Sequence, residues 1–202
     1  YVTALKSVTD LWAAITQLIV PAGATTIASA LISIKGSWPT GTNMADGDVA
    51  IKTGIKGNGT NKSLHTNYSG NFTGSGQNSL HIYTYLTEVP TVSPAALCGN
   101  GGASTGRTAI VYGSSTACRA QTTDTHSVTG SGHWGVNRSG SSSYQRMLAG
   151  TAATVTRNSQ TSNSGAFLIF ARGSHLGSTP ELLSDHRFIV HAMGGSFATL
   201  EC

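Results

Sequence analysis

Three residues that could bind a ligand fall close together: Trp134, Arg138 and Tyr144, in GHWGVNRSGSSSYQRM (132–147). An aromatic ring can stack on the apolar face of a sugar while a guanidinium takes its hydroxyls. Trp38, beside Pro39 in a turn-rich loop, is a fourth candidate. The competing reading makes these aromatics core anchors, because a buried tryptophan is common between two packed sheets. Other chemistry finds less material. No acids are spaced two apart on a strand so as to aim two carboxylates into one cleft, which glycoside hydrolysis needs. Asp46 and Asp48 lie in ADGDV, which reads as a turn rather than a Ca²⁺ loop. The seven histidines form no HxH, HxxxH or HExxH pair, so no metal site is expected. GNGGASTG (99–106) lacks the Lys-Ser/Thr end of a phosphate loop and reads as a flexible connection. No catalytic residue and no cofactor are assigned, and the chain is read as a non-enzyme.

Composition points the same way. Apolar residues make up 39% of the 202, enough for a packed core, while charged residues make up only 10%. Glycine, serine and threonine suit strands and turns. The net charge of +4 comes from scattered lysines and arginines, not from a patch, so no nucleic-acid partner is expected. LWAAITQLIV (11–20) is too short to span a bilayer and ends at Pro21, so no membrane insertion is expected. The first residue is Tyr1, which suggests a processed chain or a domain of a longer one. N-x-S/T matches stand at Asn58, Asn61, Asn67, Asn71 and Asn137, a number that chance explains in so Ser/Thr-rich a chain. A disulfide between Cys98 and Cys118 would add about 3 kcal/mol by loop closure. Two free buried thiols are the alternative.

The elements that must position these residues are mostly strands. TDLWAAITQLIV (9–20) predicts a short helix with Leu11, Ile15, Leu18 and Ile19 as its stripe. Residues 25–36 fit either a helix or a buried strand. From residue 49 the pattern is β. NSLHIYTYLTEV (78–89) alternates Leu80, Ile82, Thr84 and Leu86 against His81, Tyr83, Tyr85 and Thr87. RSGSS turns a hairpin, AATVTRNSQT follows as an edge strand, and GAFLIFARGS is apolar on both faces. In SDHRFIVHAMGGSF (184–197), Phe188, Val190 and Ala192 are predicted on one face and Ile189, His191 and Met193 on the other. A strand buried on both faces is central and covered from behind, and the amino-terminal segment is the expected cover. Strands recurring every ten to twelve residues predict a sandwich or barrel. The chain is divided into an appended helical packing segment, 1–45, and a β-sandwich domain, 46–202.

Several of these stretches together resemble bacteriophage virion proteins. They are IVPAGATTIASALISIKG, KTGIKGNGTNKSLHTNYSGN before NSLHIYTYLTE, the GHWGVNRSGSSSYQRMLAGTAATVTRNSQ hairpin, FLIFAR and SDHRFIVHAMGGSF. The resemblance covers about residues 12 to 200 and lies in the order and spacing of the motifs. It implies a mainly β, antiparallel two-sheet jelly roll of the concanavalin A-like or laminin-G-like kind, with a short N-terminal helical segment. It implies a non-enzymatic role in the extracellular particle, as tail fibre, tailspike or capsid decoration. The partners it implies are other virion proteins, further copies of the chain and host-surface glycans. The alternatives are a secreted or cell-surface carbohydrate-binding lectin, and a glycoside hydrolase.

Overall fold

A computed structural model describes residues 9–102, 105–120 and 122–197. The described residues are 48% strand and 6% helix, in two antiparallel sheets. One sheet runs, in spatial order, β14 (Thr151–Thr156), β13 (Ser143–Leu148), β12 (Gly132–Arg138), β7 (Leu80–Glu88), β18 (Arg187–Gly194), β1 (Ile15–Ile19) and β2 (Ser33–Lys35). Two short strands, β4 (Val49–Ala50) and β5 (Gly54–Lys56), join it through β18. The other runs β11 (Asp124–Thr125), β10 (Ser115–Ala120), β9 (Arg107–Tyr112), β8 (Ala95–Asn100), β15 (Ala166–Ile169), β6 (Ser63–Ser69) and β3 (Thr40–Thr42). A ribbon of β16 (Arg172–Gly173) and β17 (Pro180–Glu181) stands apart.

One apolar cluster draws on both sheets: Leu80, Ile82, Leu86, Trp134, Val136, Phe188 and Met193 from the first, Leu64, Leu97, Ile110, Phe167 and Ile169 from the second. Apolar side chains at every second position of facing strands leave water together, which is the driving force of a two-layer sandwich. The alternation predicted for β7 holds: Leu80, Ile82 and Leu86 enter this core, and Tyr83 packs outside it.

The amino-terminal region is not an appendage. Helix α1 covers only Thr9–Ala14, and the chain passes directly into β1, which lies between β18 and β2. The predicted helical stripe is therefore broken: β-branched Ile15, Thr16 and Ile19 favour the pleated surface. The ambiguous 25–36 segment contains both answers, helix α2 (Ile27–Ala30), capped by Thr26, and then β2. Because β1 and β2 belong to one sheet and β3 to the other, residues 15–42 are woven into the sandwich and no boundary falls at 45. Gln17 ties the layers: its Nε2 donates to the carbonyls of Ser37 and Thr66, the latter in β6, at 2.6 and 3.0 Å.

The last strand is central, as predicted, with β7 on one side and β1 and β5 on the other. Its faces are not those expected. A bulge between Phe188 and Val190 shifts the alternation, so Phe188 joins Met193 in the core while Val190 and Ala192 face outward. Their cover is the expected one: Leu11 and Trp12 of α1, joined by Phe197.

Candidate functional site

The hairpin residues come together, but inside the protein. Trp134, Arg138 and Tyr144 are all buried, and the structure corrects their reading as a sugar-binding surface. They point inward because they share the face of β12 and β13 that meets β10. Trp134 Nε1 donates to the Gly130 carbonyl at 3.1 Å. The Tyr144 hydroxyl donates to the Thr116 carbonyl at 3.1 Å. The Arg138 guanidinium lies 5.3 Å over the Tyr144 ring. It donates to four carbonyls: Cys118 from Nε, Gly140 and Ser143 from Nη1, and Arg157 from Nη2. The bonds to Cys118 and Thr116, both in β10, clamp the two sheets together. Trp38 is elsewhere, 61% exposed between β2 and β3, with its carbonyl accepting from Asn67 Nδ2.

The proposed disulfide is also corrected. Cys98 and Cys118 are free and buried. Cys98 pairs with Ile110 and Cys118 with Thr108, on opposite sides of β9. Two strand spacings are about 10 Å, beyond the roughly 7 Å that a disulfide allows between Cα atoms. Burial pushes the Cys118 thiol up to about 11 and that of Cys98 higher still, which keeps both unreactive.

The carboxylates with described side chains are occupied in structural bonds. Glu88 holds Lys56 and Arg187, Asp48 holds Lys62, Asp124 holds Arg146, and Glu181 holds Arg172. Asp46 accepts from the Ile27 amide at the start of α2, and Asp185 accepts from the Thr91 amide. Ser184 Oγ lies 2.8 Å from His186 Nδ1, but both residues are fully buried beside Phe170, where no substrate reaches. The spacing Gly102-x-Ser104-x-Gly106 matches a nucleophile elbow. Here it connects antiparallel β8 and β9 rather than a strand and a helix, and Ser104 lies outside the described residues.

Two surfaces remain. On the outer face of the nine-stranded sheet, the ring of His133 (β12) lies 5.2 Å from Tyr83 and 4.6 Å from Tyr85, both in β7. All three are half-buried, and the Tyr83 hydroxyl bonds His133 Nδ1. Gly135 makes room for this cluster, since a Cβ there would stand 2.8 Å from the Tyr83 ring. Partial burial lowers the pKa of His133, which favours its neutral ring. The cluster was readable in part: the alternation of NSLHIYTYLTE puts both tyrosines on one face, but nothing local reveals that His133 is their cross-strand neighbour. The second surface is the edge of the same sheet at β2, free among the described residues, where Ile32, Ile34 and Trp38 are exposed. The one charge on that strand, Lys35, turns toward α1. Its Nζ donates to the Trp12 carbonyl at 2.6 Å and sits 4.9 Å from the Trp12 ring centroid. A further cleft of about 360 Å³ opens beside β13 and β14, lined by Val128, Thr129, Arg146, Leu148, Ala149, Thr151 and Ala153. Its one charge among these residues, Arg146, is already met by Asp124.

No known protein family, curated protein or solved structure matches this chain.

Proposed function

We propose that the chain is a non-enzymatic structural protein of a bacteriophage particle, built as a concanavalin A-like jelly roll, that works by contact with further copies and with other particle proteins. The order of the sequence motifs supports the particle assignment, and two antiparallel sheets about one core are what such a jelly roll requires. The observation that carries the contact role is the β2 edge. Ile32, Ile34 and Trp38 are 48%, 38% and 61% exposed beside a strand that has one hydrogen-bonding side free among the described residues. Isolated proteins usually guard such an edge with an outward charge, and Lys35 is turned away from that duty. Light scattering over a concentration series tests the reading. The intact chain associates, and Ile34→Lys, on the exposed side of β2, weakens association at least tenfold without unfolding. A chain monomeric at every concentration, and absent by mass spectrometry from purified particles, overturns it.

A second reading, a sugar-binding domain, is favoured by the Tyr83, Tyr85 and His133 rings, which offer stacking faces with a polar rim. A glycan array separates the two. Binding that Tyr85→Ala abolishes, by a protein that stays monomeric, selects the sugar-binding domain.

A further inference from the structure

Arg119 is buried as deeply as Arg138, and the protein treats it differently. Its backbone amide donates to Thr108 Oγ1 at 3.0 Å, and its carbonyl accepts from the Gln160 amide at 2.7 Å. The main chain is therefore fixed from two sides. It is fixed in a conformation that an arginine avoids, at φ +51°, where β10 bulges between Cys118 and Ala120. Bulges re-aim side chains, and left-handed backbone at a bulky residue persists only where the surroundings hold it there. The result is a guanidinium with no exposed surface. Nη2 donates to Ser75 Oγ at 3.0 Å, and that hydroxyl in turn donates to the Phe72 carbonyl at 2.9 Å. Nε and Nη1 have no hydrogen-bond partner among the described residues. No carboxylate there forms an ion pair with Arg119.

Such a group is expensive. An arginine is rarely buried without a partner, and an uncompensated charge in a poorly polarisable interior destabilises the fold. Burial lowers the Arg119 pKa to about 10, which still leaves the charge in place at neutral pH. Arg138, on the neighbouring β12, shows how this fold neutralises a buried guanidinium by itself, with four carbonyls. At Arg119 the surrounding chain supplies one hydroxyl. The 70–77 loop, through Ser75, and the 157–163 loop, through Gln160, close over the site and hold the cation in place without balancing it.

We propose that Arg119 is the centre of an anion site: a single small monovalent anion, a halide or a carboxylate group, accepts from Nε and Nη1 beneath the 70–77 and 157–163 loops. The bound anion would lock these two loops to the end of β10. Site occupancy would thereby link solution anions to the stability of that end of the sandwich, by mass action.

Thermal unfolding at constant ionic strength tests this, with sodium chloride or sodium acetate replacing sodium gluconate, whose bulkier anion serves as the reference. The expected result is a rise in Tm of about 3 °C in chloride, in acetate or in both, saturating with concentration. The saturating rise disappears in Arg119→Met and persists in Arg157→Met, which removes an exposed cation at the same end. Acetate acting without chloride assigns the site to small carboxylates; chloride acting assigns it to free halide. Equal Tm values in all three salts, or a rise that Arg119→Met retains, overturn the proposal. Should Arg119→Met fail to fold, the unaltered protein decides. Crystals soaked in sodium bromide show an anomalous peak within hydrogen-bonding distance of the Arg119 guanidinium, and no peak there, with acetate also without effect, overturns the site.

Discussion

The two ends of the sandwich solve the same electrostatic problem in opposite ways. Where β7 finishes, cations meet carboxylates. Glu88 bridges Lys56 and Arg187, Asp48 takes Lys62, and Arg187 also donates to the Gly54 carbonyl at 2.9 Å. These groups are partly exposed; the Glu88 side chain keeps 40% of its surface. Where β7 begins, Arg119 and Arg138 are fully buried and neither forms an ion pair among the described residues. The lesson is about screening. Ion pairs at the wet end are worth little because water already stabilises each partner. Buried cations at the other end must be fully served or they destabilise the fold. Electrostatic contributions to stability are therefore concentrated at the end with fewer ion pairs.

Acid attacks both ends and has the largest expected effect. His186 lies next to Asp185, and His81 sits at the opposite end under the ring of Phe197, 3.9 Å away. Burial pushes His81 down to about 4, and His186 and His191 down to about 3. A histidine whose folded pKa is lowered binds its proton more readily when unfolded. The stability it allows is complete above about pH 6.5 and is lost as pH falls from there toward the folded value. Each of the three should therefore cost about 2 kcal/mol between pH 7 and pH 5. Urea unfolding at the two pH values should show most of the protein's stability gone at pH 5. In His186→Phe the gap between them should narrow by about 2 kcal/mol, and a gap unchanged by that substitution would show that His186 is not neutral in the fold.

Arg138→Met comes next. It keeps most of the packing against Tyr144 and leaves four carbonyls without this donor, that of Cys118 buried and the other three part-buried. Unmade hydrogen bonds of this kind cost more than the made ones contribute, so a loss of about 3 kcal/mol is expected by denaturant unfolding. A loss below about 1 kcal/mol would put this arginine in the same class as the exposed ion pairs of the other end.

How much of this could be read from the sequence depends on the reach of each interaction. The alternation in β7, the β12–β13 hairpin, the edge strand β14 and the central position of β18 are local signals or follow directly from them. The bulge at Phe188–Val190 is not local: it reflects the fit of β18 to β7, and it reversed the predicted faces of half a strand. The conversion of residues 15–19 from helix to strand has the same origin, because β1 fills a place between β18 and β2 that only the assembled sheet creates. The candidate site was harder still. Trp134, Arg138 and Tyr144 are the residue types that either bind a sugar or clamp a core, and only their burial decides between the two. Arg119 gave no signal, because nothing in ACRAQ announces a left-handed arginine turned inward.

The smallest expected effect falls at the wet end. Lys56 foremost, together with Arg187, holds the Glu88 carboxyl below the usual carboxylate range, against a smaller opposing effect of burial. A depressed carboxyl contributes stability that is present above its unfolded pKa and lost as pH falls through the folded one. That window lies below about pH 4.5, where it overlaps only the acid end of the range in which the histidines titrate. Because Glu88 is 40% exposed, solvent screening reduces the worth of the pair to about 1 kcal/mol or less. Glu88→Gln should therefore lose no more than that at pH 7 in low salt and almost nothing in 1 M salt, where the screening length shrinks to about 3 Å. The same salt comparison on Arg138→Met should leave its loss nearly unchanged, since its four acceptors are neutral carbonyls. Glu88→Gln proving as costly as Arg138→Met, or equally indifferent to salt, would mean that solvent exposure does not separate the two ends.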